Sequence, residues 1–198
     1  DGRASTKRLS SLLGRKVFDF PKDETILSGL LQMVTSEDDL ILNFFAGSAT
    51  TAHAVMQLNA EDGGERQVIM VQLPEPTPEK SEARKAGYET ISEISRERIR
   101  RAGKKIREDF AEKISDRERP LDTGFRAYKL TDTNFPRWSI KSDTPPEDLG
   151  DLLDELADSA RDDATPEQLL SELLLKMGFS LSESIAVEEI SGLEVFSI

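Results

Sequence analysis

Two short apolar runs separated by a helical segment constrain the fold of this chain most. Residues 40–45 and 68–73 are mostly apolar and have the length of strands buried on both faces, and Pro74 ends the second run. Residues 50–59 between them carry apolar side chains at helical spacing, and a glycine pair closes this helix. Such a strand-helix-strand unit predicts parallel strands joined by a right-handed crossover. We therefore expect an α/β fold in the first half.

Further elements are predicted on both sides of this unit. Residues 23–35 repeat apolar side chains every three or four positions, which is typical of a helix. Residues 89–110 predict one long amphipathic helix, with seven Arg and Lys residues between positions 96 and 107. Residues 125–130 alternate as a strand does, and residues 133–138 indicate a loop with aromatic anchors, Trp138 among them.

The second half of the chain is predicted to form a separate small module. The acidic stretch that begins near Ser142 resembles a linker, with a charged helix at residues 149–160. Residues 165–178 begin with a Thr-Pro-Glu-Gln start signal and predict a helix, and residues 185–198 predict a hairpin. The predicted domains are residues 1–141 and, as a small C-terminal α+β module, residues 142–198.

Composition narrows the classes of function. The formal net charge of −12 repels polyphosphate, so DNA contacts are expected to be local or to come from other regions. With no cysteine and one histidine, a metal site is not expected. No apolar run could cross a bilayer and no signal pattern is present, which predicts a cytoplasmic protein. Because the chain begins at Asp1 without methionine, we expect a fragment of a longer protein.

The loop between the first predicted strand and the following helix is the main candidate site. It consists of small residues around Gly47 and lies at the carboxyl end of the predicted sheet, where open α/β sheets bind ligands. The helix N-terminus there offers free N–H groups to a nucleoside or a carboxylate. The loop has neither the P-loop triplet nor the dinucleotide glycine spacing. A tight turn without a ligand explains its shape equally well.

Glu75 follows the second predicted strand. An acidic side chain at this edge of the sheet can accept both ribose hydroxyls of an adenosine held at the Gly47 loop. Taken alone, such a residue is more often a solvated loop residue. The pairing of Glu75 with the Gly47 loop is therefore what predicts nucleoside binding.

The string NFFAGSATTAHAV, followed by LNAEDGGERQVIMVQLPE, resembles the cofactor-binding core of type III restriction-modification DNA adenine methyltransferases. The resemblance continues in order through AGYETISEISRERIRRAGKKI, LDTGFRAYKL, TNFPRW, LLSELLLKMGFSL and the closing hairpin, and so covers about residues 12–198. It implies a partial S-adenosylmethionine-dependent methyltransferase fold, a Rossmann-like parallel sheet carrying the cofactor subsite, followed by the small module.

The resemblance also implies a set of binding residues. Glu75 would contact the ribose, and Lys22 falls where the family has a Lys-Pro pair, with Asp23 in place of the proline. The loop residues that would line the S-adenosylmethionine pocket are Asn43, Phe45, Ala46, Gly47, Ala49, Thr50 and Thr51.

Two loop residues depart from the family pattern. Asn43 replaces the usual Asp and removes a negative charge beside a cationic sulfonium, and Ala49 replaces the usual Gly where the backbone can require φ > 0. We expect both to weaken cofactor binding.

The resemblance implies an activity for the intact protein. A methyl group would pass from S-adenosylmethionine to the exocyclic amino group of adenine in a DNA recognition site. The family's Asp-Pro-Pro-Tyr type motif does not occur in this chain, so we assign no catalytic residue and expect the chain alone to be inactive. The implied partners are DNA, a second modification subunit and a helicase-nuclease restriction subunit.

Two other functions stay open. The chain could be a non-catalytic interaction or assembly module derived from a methyltransferase, or an α/β protein that uses the loop for NAD or a mononucleotide. His53 is more simply a packing residue than a catalytic base. The basic face of the long helix is more simply a solvated face than a DNA contact, because acidic residues are interspersed with it.

Overall fold

The computed structural model describes residues 2–135, 145, 160–161, 163–180 and 182–198. The chain divides into two compact units, Asp1–Ala127 and Tyr128–Ile198. The predicted boundary near Ser142, Trp138 and all but the last residue of the predicted charged helix lie outside the described residues. The predicted division at residues 141 and 142 therefore stays a prediction.

The first unit mixes helices with a small parallel sheet. In β1 (Leu40–Asn43) and β2 (Gln67–Met70), Leu40 lies opposite Gln67 and Asn43 lies opposite Met70, and helix α3 (Thr50–Asp62) connects the two strands. This order confirms the predicted strand-helix-strand unit. The elements, in chain order, are α1 (Gly2–Leu13), α2 (Glu24–Val34), β1 (Leu40–Asn43), α3 (Thr50–Asp62), β2 (Gln67–Met70), α4 (Glu82–Lys85), α5 (Ile91–Asp109) and α6 (Ala111–Ser115).

Helix α3 is the centre of the first unit's core. Its sequence is mostly small and apolar, so nine of its residues are buried, and it packs against α2, α5 and β2. One apolar cluster joins α3 to α5, and a second joins α1 to α5. The members of the first cluster are Met56, Ala60, Ala102, Ile106 and Leu121, and those of the second are Leu9, Leu13, Val17, Ala83 and Ile94.

The prediction that both strands are buried on both faces is wrong. Leu40 is 60% exposed, Leu42 52% and Ile69 43%, whereas their sequence neighbours are half-buried or polar. Alternate residues of a strand point to opposite faces of a sheet. In the part of the chain that the structure describes, only one face of this sheet is covered, which leaves an apolar face exposed.

Helix α5 confirms the predicted long amphipathic helix. It begins with a capping box, in which the Glu93 carboxylate accepts a hydrogen bond from the Thr90 N–H at 3.2 Å. Gly103 on this helix lets the following segment pass closely, since a Cβ there would lie 2.9 Å from the Thr123 Cβ. Gly103 is therefore a packing glycine.

The strand predicted at residues 125–130 is wrong, because these residues have no regular secondary structure. A strand requires a neighbouring strand to pair with, and no described strand pairs with this segment. Its side chains make other contacts, such as that of Phe125, whose ring centroid lies 5.4 Å from the Arg100 guanidinium carbon.

The second unit contains a helix and a hairpin. Helix α7 (Pro166–Lys176) has the predicted capping box between Thr165 and Gln168. Strands β3 (Ala186–Ile190) and β4 (Leu193–Ser197) form the predicted antiparallel hairpin, with Ser191 and Gly192 at positive φ in its turn. No helix among the described residues is long and apolar enough to span a membrane.

Candidate functional site

The loop from β1 to α3 is shaped by the side chain of Asn43. Its Oδ1 accepts a hydrogen bond from the Phe45 N–H at 2.8 Å, and its Nδ2 donates to the Thr51 Oγ1 at 2.7 Å. A third bond, from the Ala49 N–H to the Ala46 carbonyl at 2.8 Å, closes the turn. The end of β1 is thereby tied directly to the first turn of α3.

The turn contains two residues in the left-handed region. Gly47 has φ +53° and Ala49 has φ +60°, so the predicted need for positive φ at position 49 is confirmed. An alanine in this region is strained by about 1 kcal/mol or more. Ala49 is completely buried, so its methyl group points into the protein. Alanine in place of glycine at position 49 therefore strains the backbone, and its methyl group does not lie on the solvent-facing side of the loop.

The segment after β2 lies beside this loop. The Ala46 N–H donates to the Val71 carbonyl at 2.9 Å, and the Val71 N–H donates to the Asn43 carbonyl at 2.8 Å. The two parallel strands thus continue their pairing into the loops at their carboxyl ends. This brings the small-residue loop and the residues after β2 to one edge of the sheet.

Gln72 links the two parts of the predicted site. Its Oε1 accepts a hydrogen bond from the Gly47 N–H at 2.7 Å, and its Nε2 lies 3.5 Å from the Glu75 Oε2. The structure therefore brings the Gly47 loop and Glu75 together, as their positions after neighbouring strands predict. Gln72 was not predicted from the sequence, although a polar residue within an apolar run was a signal for it.

Side chains of helix α5 form hydrogen bonds with the loop. The Ser95 hydroxyl donates to the Gly47 carbonyl and also lies 3.0 Å from the Ile91 carbonyl. Arg98 Nη1 donates to the Thr50 Oγ1 at 2.7 Å, to the Ser48 Oγ at 3.0 Å and to the Ser48 carbonyl at 3.3 Å. Ser95 and Arg98 were not predicted either, because they lie about 50 positions away in sequence, in a helix whose charged face was interpreted as solvated.

Arg98 is the largest fully buried side chain among the described residues. Its Nη2 lies 3.5 Å from a Glu24 carboxylate oxygen, and Glu24 also pairs with Arg8. Burial lowers the pKa of Arg98 to about 10, while the Glu24 charge acts in the opposite direction. Arg98 therefore stays positively charged at neutral pH inside the protein.

His53 lies next to Arg98 and acts as a packing partner. Its Nδ1 is 3.4 Å from Arg98 Nε. Burial, and after it the charge of Arg98, lowers the pKa of His53 to about 4 from its usual value of 6.5. The ring is therefore neutral at physiological pH and accepts from the guanidinium, which agrees with the packing role inferred from the sequence.

The predicted site residues differ in exposure. Phe45 is 85% exposed, and Glu75 and Lys22 are exposed as well. Asn43, Ala46 and Gly47 are half-buried, whereas Ala49, Thr50 and Thr51 are buried. The first six can face a ligand directly, and the last three shape the loop.

Lys22 lies in the connection between α1 and α2. It precedes Asp23, whose carboxylate caps α2 by accepting from the Thr25 N–H at 3.1 Å. In the same connection, the Phe18 ring approaches Gly47, since a Cβ built there would lie 3.7 Å from the Phe18 Cζ. The assignment of Lys22 to a ligand stays a prediction.

The basic face of α5 is paired with acidic residues. Arg101 contacts Glu97 at 2.7 Å, and Lys105 contacts Asp109 at 2.6 Å. Weaker pairs join Arg96 to Glu93, Arg100 to Glu97 and Lys104 to Glu108. This pattern of neighbours one turn apart favours a solvated face over a phosphate-binding surface.

Comparison with known proteins gives consistent matches. A model of the DNA methylase family matches residues 3–102. The Mod subunit of the type III restriction-modification enzyme StyLTI from Salmonella typhimurium is 44% identical over 124 residues, 63% of this chain and 18% of the relative. The EcoP15I Mod subunit from Escherichia coli is 39% identical over 132 residues, 66% of this chain and 18% of the relative.

A relative of another type also matches. The type II methyltransferase M.KpnI from Klebsiella pneumoniae is 39% identical over 95 residues, which are 48% of this chain and 23% of that protein. The matched part of the chain therefore spans about a fifth of the length of these curated relatives.

Proposed function

This chain belongs to the DNA methylase family, and from that premise we propose its function. The proposed function is to bind S-adenosylmethionine at the Gly47 loop as part of a site-specific DNA adenine methyltransferase of a type III restriction-modification system. The small parallel sheet is proposed to belong to a Rossmann-like methyltransferase sheet. Similarity to two type III Mod subunits supports this choice of system.

One observation carries the proposal: the side chain of Gln72 accepts from the Gly47 N–H with its oxygen and contacts the Glu75 carboxylate with its nitrogen. A turn with close backbone access and an acidic side chain are the two groups that an adenosine needs at the edge of a parallel sheet. Their positions 28 residues apart in sequence, after two paired strands, support a common ligand site.

The chemistry of these residues fits S-adenosylmethionine. Glu75 is exposed and presents a carboxylate that can accept ribose hydroxyls, and Phe45 offers an exposed aromatic ring. Gly47 allows close backbone approach, and Asn43 fixes the loop. Lys22 is the remaining proposed contact. When bound, the cofactor supplies a methyl group on a sulfonium centre. This chain's residues bind and orient it.

For the whole protein we propose methyl transfer to the exocyclic amino group of adenine in DNA. The target base would be rotated out of the duplex into a pocket, as enzymes acting on bases require. This chain contributes cofactor binding and no catalytic residue. The proposed partners are DNA, a second modification subunit and a helicase-nuclease restriction subunit.

Isothermal titration of S-adenosylhomocysteine and, separately, NAD into the wild-type chain tests the proposed ligand. We expect saturable binding of S-adenosylhomocysteine in about the 1 µM to 1 mM range typical of enzyme ligands and no saturation with NAD. Tighter binding of NAD would transfer the site to the nucleotide-binding alternative.

A second candidate function is a non-catalytic assembly module. The exposed apolar side chains of Leu40, Leu42 and Ile69 on one sheet face favour an interaction surface. Absence of S-adenosylhomocysteine binding, together with self-association in sedimentation velocity runs, would favour this candidate over cofactor binding.

A further inference from the structure

Arg98 lies beneath the candidate loop with 1% of its side chain exposed. We propose that Arg98 is a positioning residue that holds the turn around Ala49 in the conformation that binds the cofactor. The inference rests on the proposed function and names a residue of helix α5 that acts through the loop rather than on the ligand.

Arg98 contacts the residues on both sides of the strained residue, Ala49. Its Nη1 bonds the side chain and carbonyl of Ser48 and the side chain of Thr50, the two residues that flank Ala49 in sequence. Ala49 is the non-glycine residue of this loop at positive φ. Strained backbone persists only where its surroundings over-determine it. Arg98 supplies three hydrogen bonds to the neighbours of that residue.

A second side chain of the same helix acts in the same direction. The Ser95 hydroxyl, one turn before Arg98, donates to the Gly47 carbonyl. Residues 47, 48 and 50 are therefore all fixed from α5. A loop held in this way has little conformational entropy left to lose when a ligand binds, which favours affinity.

The geometry requires the forked head of an arginine. Nη1 faces the loop, while Nη2 lies 3.5 Å from Glu24 on α2. A lysine ammonium is a single point charge and cannot serve both sides at once. Glu24 in turn bonds Arg8, and Arg8 bonds Asp23 at 2.7 Å, so the buried guanidinium has a fixed counter-charge.

A purely structural role for the buried ion pair is the competing explanation. Removing one partner of such a pair destabilises a protein because a buried charge is left uncompensated, and removing both is often tolerated. The variants Arg98→Met and Arg98→Met with Glu24→Gln separate the two roles. The double variant also removes the buried Glu24 charge, which Arg98→Met leaves with Arg8 as its only ion-pair partner among the described residues, but it does not restore the hydrogen bonds to Ser48 and Thr50.

The experiment measures S-adenosylhomocysteine affinity by titration, unfolding in urea and hydrogen exchange of the Ala49 amide. Arg100→Met is the matched control, because Arg100 is an arginine of the same helix with a 60% exposed side chain.

We expect Arg98→Met to bind S-adenosylhomocysteine at least 10-fold more weakly and to lose hydrogen-exchange protection of the Ala49 amide. The double variant should unfold at higher urea than Arg98→Met yet bind as weakly. Arg100→Met should match the wild type.

Arg98→Lys decides the question if both Met variants fail to fold, since it keeps a charge opposite Glu24. We expect it to fold and to bind several-fold more weakly than wild type. Affinity equal to wild type in any folded Arg98 variant overturns the positioning role. Failure of the wild-type chain to bind contradicts the proposed function instead, and Ala49 exchange then still reports whether Arg98 orders the turn.

Discussion

Arg98 and Glu24 form an ion pair across 3.5 Å with side-chain exposures of 1% and 8%. One residue comes from helix α5 and the other from the first turn of α2, and the pair lies below a loop that links β1 to α3. A buried charge of this kind is costly unless its partners are fixed. The contacts that fix it are the same ones that shape the candidate cofactor loop.

The pH dependence of stability is expected to depend on His53. Its pKa is lowered to about 4 in the folded protein, below the usual 6.5 of the unfolded chain. The unfolded state therefore binds more protons between these values, and stability present above pH 6.5 is lost as the pH falls towards 4. The loss attributable to His53 amounts to about 3 kcal/mol at most.

Urea unfolding at pH 7 and pH 4.5 measures this effect. Carboxylates also titrate in this range, so the matched comparison is His53→Gln, which removes the only histidine. The wild type should lose more stability on acidification than the variant. Equal losses in the two proteins would mean that the pKa of His53 is the same in the folded and unfolded states.

Ala49→Gly and Ala52→Gly are expected to differ in stability, although each removes a buried methyl group. Glycine relieves the left-handed strain at position 49 by about 1 kcal/mol, which offsets the lost burial. Ala52 lies inside helix α3, where glycine adds a penalty of about 1 kcal/mol. Thermal unfolding should show Ala49→Gly within about 1 kcal/mol of wild type and Ala52→Gly about 2 kcal/mol below it. A larger loss for Ala49→Gly contradicts the strained turn.

Gly103→Ala should destabilise the first unit. The new Cβ would lie 2.9 Å from the Thr123 Cβ and 3.3 Å from its carbonyl oxygen, and such overpacking costs about 1–3 kcal/mol. Gly29→Ala in helix α2 is the control, because no atom outside its own helix backbone and its chain neighbours lies within 4 Å of its new Cβ. That control should therefore gain up to about 1 kcal/mol from helix propensity. Similar urea midpoints for both variants would disprove close packing at Gly103.

Asn43→Ala and Asn43→Asp separate the shape of the loop from its charge. Alanine removes the bonds to the Phe45 N–H and the Thr51 hydroxyl and should cost about 1–2 kcal/mol. Aspartate keeps both contacts, because the Thr51 hydroxyl can donate to a carboxylate, and should change stability little. It also adds a negative charge, so S-adenosylmethionine should bind several-fold more tightly. Unchanged affinity in calorimetry would argue against a sulfonium close to this residue.

Local patterns predicted helices α2, α3, α5 and α7 and the hairpin, since caps, periodicity and turn residues act over a few positions; the short helices α4 and α6 were not predicted. The capping box at Thr165 and the Ser191-Gly192 turn are examples. Helix α1 was not predicted, because its short, polar sequence gains its helical state from packing Leu9 and Leu13 against α5. The strand expected at residues 125–130 failed because alternation cannot supply a neighbouring strand.

The residues of the candidate site likewise fall into a group that the sequence predicted and a group that it did not. Gly47 and Glu75 were predicted from their positions after two strands, because parallel pairing determines where strand ends meet. Gln72, Ser95 and Arg98 were not, because their roles depend on contacts between segments distant in sequence. The positive φ of Ala49 was predicted by comparison with the family's glycine and is present in the structure.

The central claim is that Glu75 and the Gly47 loop together bind S-adenosylmethionine. Its most direct test is isothermal titration of S-adenosylmethionine into the wild-type chain, Glu75→Gln and the matched control Glu79→Gln, which alters an exposed glutamate four residues further on. We predict binding by the wild type and the control, and affinity about 10-fold or more lower in Glu75→Gln through loss of charged hydrogen bonds. Equal affinity in all three chains, or no binding by the wild type, would contradict the claim.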